Sequence, residues 1–486
     1  MDARIDFARS VLLGVGASIP GLRGAFQALD GLITLCEQVQ VRRNQTLELC
    51  ARCADLLNTV VKYQPSPAGT LEAAYDEVAS CITKVWQRAQ NWAQRSRAGS
   101  LLHLKEIQEN IEQSKVAIED CFRKFELATA AATSKWQSEF AEDVRKDNEE
   151  KIAYLSGIRN AQEMTNEMSM RGQEDRKRLM EMMQELLREV RSREQQHNGL
   201  SQNLYEIQVT TSLLLPDPHL HSGEITDIET RAVMGTGAMD IYRGKYLQRE
   251  KVAIKVVRAV EGNEDTLRRF KREVGIWQKV WDIDKGQYIL PFYGFSVEED
   301  MMRPYMVSPW QENGTALAYV KQNDAHVNHR QMASARGIRV LHCLMDPPEN
   351  ILINAEGNPR IADFGLSKLL KDMSKVPLTQ SGAVDARWLA PEVYDNEGGF
   401  SLSSDIWSFG MTVLELLTHD RPFSDIKHSQ GVVAAVVNGR NPDRPTDPRV
   451  VERGLDDELW RLLVQCWSRL PRARPGILEI LERLGE

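Results

Sequence analysis

The chain has 486 residues, enough for two or three domains with separate cores. Hydrophobic residues make up 42% and charged ones 27%, a globular composition that excludes a largely disordered chain. A formal net charge of −8 offers no bulk attraction for nucleic acid, and no apolar run approaches the roughly 20 residues of a membrane-spanning helix.

The first apolar segment, Val11 to Leu22, is short, contains Pro20 and follows Asp2 and Asp6, so it does not read as a cleaved signal peptide. Leu22, Phe26, Leu29, Ile33 and Cys36 then recur every three or four residues and predict one helix. Leu49, Cys53, Leu56 and Val60 predict a second, and Pro65 and Pro67 break the pattern. A third runs from Leu71 through Tyr75, Val78, Ile82, Val85 and Ala89 to Trp92, ending near Gly99; Ile107, Ile111, Ile118, Phe122 and Phe125 mark a fourth. Such stripes cannot be buried singly, so residues 1–130 are expected to form an all-α helical bundle. Residues 131–210 are charged, Met-rich and helical. Leu179, Met183, Leu186 and Val190 have the spacing of a short coiled-coil seam, which serves either as a brace on a neighbour or for self-association. Residues 211–224, with Pro216 and Pro218, read as a linker in which His219 and His221 face solvent. Cys50 and Cys53 lie on an apolar-periodic stretch without a second ligand pair, so they read as core rather than metal ligands. The seven scattered cysteines suit a reducing, cytoplasmic setting.

From residue 225 short β-rich runs (Asp240–Tyr246, Val252–Val257, Tyr305–Val307) precede helical segments such as Asp405–Leu417 and Glu458–Cys466. Strands first and helices later predict a two-lobed α+β domain. Val252-Ala253-Ile254-Lys255 is a β-run closing on a lysine, and Glu273 follows in a helical stretch. Upstream, Gly235-Thr236-Gly237 could let backbone N–H groups approach phosphates, but Met239 or Asp240 stands where a third glycine belongs. Asp363-Phe364-Gly365 and Ala390-Pro391-Glu392 bound an activation-type segment, and Glu349-Asn350-Ile351-Leu352 precedes them. Asp405-Ile406-Trp407 opens a hydrophobic helix, and Arg474 is placed to pair with Glu392 as a buried ion pair.

These motifs, in this order, resemble a protein kinase of the tyrosine-kinase-like group over residues 225–486. The resemblance implies a bilobal kinase fold with ATP and Mg²⁺ between the lobes, and Ser/Thr phosphorylation of protein substrates in signal transduction. It further implies nucleotide contacts from Gly235, Gly237, Ile241, Ala253, Lys255, Leu352 and the hinge Ser308-Pro309-Trp310-Gln311. Glu273 would hold Lys255, Asn350 and Asp363 would bind the metal, and Thr379 and Ser381 would be activation-segment phosphosites.

One departure is large. The catalytic Asp of a kinase lies five residues before the metal-binding Asn, and that position is Met345. The run Cys343-Leu344-Met345-Asp346-Pro347-Pro348 contains no His-Arg-Asp, and His342 lies roughly six to eight residues too close to Asn350. An excised stretch accounts for this better than point substitution. Three readings compete: Asp346 as a displaced surrogate base, hampered by the two prolines that follow; a pseudokinase; or a sequence that has lost the catalytic codons of an active kinase.

The order helical bundle, brace, kinase-like domain, with Ser18-Ile19-Pro20-Gly21-Leu22 as the best local match, resembles mixed lineage kinase domain-like proteins and fungal helical-bundle kinases. That resemblance implies a bundle that acts on membranes when released. The absence of a basic stripe favours a regulatory or scaffold bundle instead.

Overall fold

The computed structural model describes residues 2–15, 19, 21–62, 69–95, 97–125, 127–157, 172–235, 239–257, 277, 279–281, 283–297, 304–327, 329, 350–362, 386–394 and 401–484. By their contacts they fall into two units, 1–211 and 212–486.

In the first unit each apolar stripe becomes a helix: α1 (Ala3–Val15), α2 (Arg23–Gln38), α3 (Arg43–Lys62), α4 (Gly69–Ala93), α5 (Arg97–Leu102), α6 (Leu104–Lys124) and α7 (Ala130–Ser156). One core takes Leu29 and Ile33 from α2, Leu56 and Val60 from α3, Val78 and Ile82 from α4, and Ile111 and Ile118 from α6, together with Trp136 and Phe140 of α7. The helix expected to run on to Gly99 stops at Ala93, and Gly99 lies inside the separate short α5. Cys50 and Cys53 are buried, as expected of core residues. Burial pushes the Cys53 thiol far above its ordinary range, so it is inert as a nucleophile.

Helix α7 is fastened by polar contacts. Asp147, buried, accepts from the backbone N–H groups of Asn44 (2.9 Å) and Gln45 (3.1 Å) and from both side-chain amides (3.0 and 2.8 Å). A carboxylate from α7 thus caps the N-terminus of α3, where unpaired N–H groups and the helix dipole favour negative charge. One turn away, Asp143 accepts from Arg4 of α1 at 2.8 Å. Arg52 of α3 lies 4.0 Å from the Phe122 ring centre and 5.0 Å from that of Trp136. The seam residues Leu179, Met183, Leu186 and Val190 are buried; the first three lie on α8 (Gln173–Glu189) and Val190 caps it, and α8 packs against α9 (Glu194–Thr211) and α5.

The second unit begins with a sheet of order β1-β3-β4-β6-β5, in which β2 also pairs with β3. Its strands are β1 (Ile225–Thr226), β2 (Met234–Gly235), β3 (Met239–Tyr246), β4 (Glu250–Val257), β5 (Gly294–Ser296) and β6 (Tyr305–Pro309). Strand β4 is central, and its residues from Val252 to Val256 are all buried, as a strand covered on both faces must be.

The expected linker is not free. Leu213, Leu215 and Leu220 are buried. Leu220 N–H donates to the Phe295 carbonyl, and Phe295 N–H donates in turn to the Pro218 carbonyl, across the edge of β5. His219, expected to face solvent, stacks on Phe295 with ring centres 5.5 Å apart. The close approach requires a glycine: Gly294 has φ +155°, and a Cβ there would collide with the Pro218 carbonyl and with Leu220.

The larger lobe is built round the helix Leu402–Thr418, every residue of which from Ser404 to Leu417 is buried. Ser401 and Ser404 form a reciprocal capping box at its start (3.2 and 2.8 Å). Gly410 lets Trp467 pack directly on it; a Cβ would meet Trp467 Nε1 at 2.6 Å. The fold is therefore the expected pairing of an all-α region with a bilobal α+β domain.

Candidate nucleotide site

Strand register brings the small-lobe residues together. Lys255 stands opposite Ile241 of β3 and Met306 of β6; Ala253 stands opposite Arg243 and Ser308. Lys255 is only 6% exposed, although lysine is almost never buried without a charged or polar role. Ser308 is buried too, and its Oγ has no hydrogen-bond partner among the described residues. A buried ammonium, two strand positions along the ladder from a buried hydroxyl with spare bonding capacity, would suit a polar, anionic ligand.

Beyond β6 the chain leaves the sheet through Trp310 and Gln311. Trp310 N–H donates to the Lys251 carbonyl (2.9 Å), extending the β4–β6 pairing by one bond. Arg243 covers the Trp310 ring with its guanidinium carbon 4.4 Å from the centroid. Lys251 pairs with Glu312 at 2.7 Å and holds that carboxyl below its ordinary range. The sequence motifs did not point to Met306, Arg243, Lys251 or Glu312; their roles depend on cross-strand register, which a single strand's pattern does not state.

The large-lobe side is a hairpin of β7 (Ile351–Ile353) and β8 (Pro359–Ile361). It is tied to the hinge region: Ile353 N–H donates to the Gly314 carbonyl (2.9 Å), Thr315 bridges to Leu352, and Asn313 Nδ2 donates to the Asn354 carbonyl (2.7 Å). Leu352 is thereby placed beside the segment that leaves the hinge. Asn350 precedes β7, and its carbonyl accepts from Ala362 N–H at 2.8 Å. The hairpin thus brings Asn350 opposite the residue that precedes Asp363.

Gly235 lies on the exposed strand β2, paired with Asp240 of β3. Gly237, Glu273, Asp346, Asp363, Thr379 and Ser381 lie outside the described residues. The expected Arg474–Glu392 pair is present and bidentate, at 2.6 and 2.8 Å, with the Arg474 side chain 1% exposed. Arg474 also donates to the Ser403 carbonyl (2.6 Å) and the Ser468 carbonyl (2.9 Å). Arg387 ties the Ala390-Pro391-Glu392 region to the carbonyls of Pro422, Phe423 and Ile426.

A family model described as protein tyrosine and serine/threonine kinase matches residues 228–484. The chain belongs to that family. Tyrosine-protein kinase Src64B of Drosophila melanogaster is 26% identical over 265 residues, 51% of this chain and 45% of the relative. Serine/threonine-protein kinase STY17 of Arabidopsis thaliana is 26% identical over 271 residues, covering 53% and 44%. Serine/threonine-protein kinase TNNI3K of Rattus norvegicus is 24% identical over 277 residues, covering 54% and 32%. The chain thus spans less than half the length of these relatives. The family match begins after the helical unit, and relatives of both tyrosine and serine/threonine type lie at similar identity. Among the described residues no helix is long and apolar enough to cross a membrane.

Proposed function

We propose that the 212–486 unit binds ATP with Mg²⁺ between its lobes and that the chain, as written, transfers phosphate to protein poorly or not at all. The observation that carries the reading is the buried Lys255 on β4, in register with Ile241 and Met306, beside the Ala253–Ser308 pair and the hinge. Lys255 would hold the α- and β-phosphates, and Glu273 would position its ammonium. Asn350 and Asp363 would hold the metal; Ala253, Leu352 and residues 308–311 would enclose the adenine. Bound Mg²⁺ supplies charge neutralisation across the phosphates. The missing component is the base that orients the substrate hydroxyl, because Met345 stands where its carboxylate belongs.

A gene product that retained the excised segment would be a Ser/Thr protein kinase in signalling. Without that segment the protein is a nucleotide-dependent switch or scaffold whose helical unit is the output. An output through protein contacts is favoured over one through membranes, since the net charge of −8 opposes binding to anionic lipid. This is where the reading parts from the mixed lineage kinase domain-like resemblance.

The test is phosphotransfer from labelled ATP to general protein substrates, comparing the full chain with Asp346→Ala. The expected result is the same background from both. Turnover by the full chain that Asp346→Ala abolishes would establish a displaced base and overturn the proposal.

A further inference from the structure

Three side chains from two distant parts of the large lobe converge outside the elements that carry Lys255 and the hinge. Asp324 and His329 follow the short helix Ala316–Gln322, and His419 caps the helix Leu402–Thr418 at its C-terminus. His329 Nε2 lies 3.2 Å from Asp324 Oδ1 and 3.3 Å from His419 Nε2; His419 Nε2 is 3.9 Å from the same oxygen.

His329 is 2% exposed, and its other ring nitrogen, Nδ1, is 3.1 Å from the Val327 carbonyl. A carbonyl only accepts, so Nδ1 carries the proton, and in the neutral ring Nε2 presents a lone pair. That nitrogen lies close to a carboxylate oxygen and a second imidazole nitrogen, so three potential ligand atoms lie within 3.9 Å of one another. Two of the three separations match the edge of a tetrahedron with metal–ligand bonds of 2.0–2.1 Å, about 3.3–3.4 Å, and the third is half an ångström longer.

We propose that Asp324, His329 and His419 form a divalent transition-metal site, with Zn²⁺ as the ion best suited to two imidazoles and one carboxylate. The fourth position falls to water, as three-ligand zinc sites leave it. The Val327 carbonyl provides the outer hydrogen bond that fixes the His329 ring and its tautomer. Arg453 provides another, donating to both oxygens of Asp324 (2.8 and 2.7 Å) and to the Leu417 carbonyl (2.9 Å). Because Arg453 engages both oxygens, the carboxylate has only a free lone pair of Oδ1 to offer. The nearby cationic charge sets the affinity below that of an uncompensated carboxylate site. Bound metal would join Asp324 and His329 to the end of the lobe's central helix.

His419 also occupies a position that ordinarily disfavours it. Its φ is +63°, the left-handed conformation that glycine or asparagine takes most readily at a helix end. That geometry supplies the variant for a test, because His419→Asn removes the imidazole and keeps the backbone.

The full chain is stripped with chelator and titrated with Zn²⁺ by calorimetry, and with Co²⁺ by visible absorption, both in saturating Mg²⁺ to occupy the nucleotide-metal site. The expected result is one Zn²⁺ per chain with a rise in melting temperature, and Co²⁺ bands of tetrahedral type. His419→Asn weakens binding by at least tenfold, since even the loss of an outer hydrogen bond costs about 10–100-fold. His221→Ala, which disrupts a second adjacent histidine pair, His219 and His221, leaves binding unchanged. Stoichiometric binding that survives His419→Asn would overturn the proposal. So would the absence of Zn²⁺ binding by the unmodified chain, which would reduce the cluster to a hydrogen-bonded imidazole pair.

Discussion

Replacing Asp147 by alanine removes the carboxylate that caps α3 from a different helix. Four donors lose this acceptor at once: the N–H groups of Asn44 and Gln45 and the amides of both side chains, of which the Asn44 amide keeps a second acceptor in Glu150. Loss of an N-cap costs about 0.5–2 kcal/mol. Gln45 is fully buried, so water cannot replace its lost bonds, and an unsatisfied buried donor costs about 1–3 kcal/mol. Relief of repulsion from Asp143, one turn away on α7, offsets a part. The sum is about 2–4 kcal/mol, which for a unit of this size lowers the melting temperature by roughly 5–12 °C. Asp147→Asn retains an accepting oxygen but turns an NH₂ group toward the remaining donors, so it recovers no more than half. The assay is thermal unfolding of the full chain with hydrogen exchange at the Asn44 and Gln45 amides, which should lose protection before the rest of α3. A helical-unit transition within about 1 °C of the parent, with those amides still protected, would refute the capping argument.

The ion pair between Arg474 and Glu392 gives a second expectation. Arg474→Ala leaves a carboxylate without its partner and empties the hydrogen bonds to Ser403 and Ser468, so the 212–486 unit loses about 3–5 kcal/mol in denaturant titration. A third concerns pH. Burial first, and the Asp143 charge second, raise the Glu48 carboxyl above its ordinary range. The native state therefore binds that proton more tightly than the unfolded chain does. Its contribution to stability is complete below the ordinary carboxyl range and is lost as pH rises through the raised value. Glu48→Gln should flatten the fall in helical-unit stability as pH rises above the ordinary carboxyl range, measured by urea midpoints at each pH.

Most of the helical half was legible because its stripes are long and strictly periodic; Leu29, Ile33, Leu56, Val60, Val78 and Ile82 all enter one core. Boundaries were less so: α4 ends at Ala93, and Gly99 sits inside a helix where it was expected to end one. On the kinase side, the Arg474–Glu392 ion pair was legible from local motifs, since the family pattern sets each residue at a fixed offset. The capping of α3 by Asp147 was not legible, because the partners lie about a hundred positions apart and aspartate on a charged helix carries no mark. Asp324, His329 and His419 escaped for the same reason, the last lying 90 positions beyond His329. The expected linker failed differently. Pro216 and Pro218 do break regular structure, but the same segment buries three leucines and pairs with the edge of β5.

The central claim is a kinase-fold site that still accepts nucleotide after losing its base. Thermal unfolding of the full chain, with and without Mg²⁺–ATP, tests this most directly when run beside Lys255→Met. Binding at a hundred times the dissociation constant stabilises the native state by about 2.7 kcal/mol, so the 212–486 transition should rise by about 5 °C or more. Lys255→Met should lose most of that rise while retaining its melting temperature without nucleotide. An unmodified chain whose transition does not move at millimolar Mg²⁺–ATP, or a shift equal in Lys255→Met, would contradict the claim.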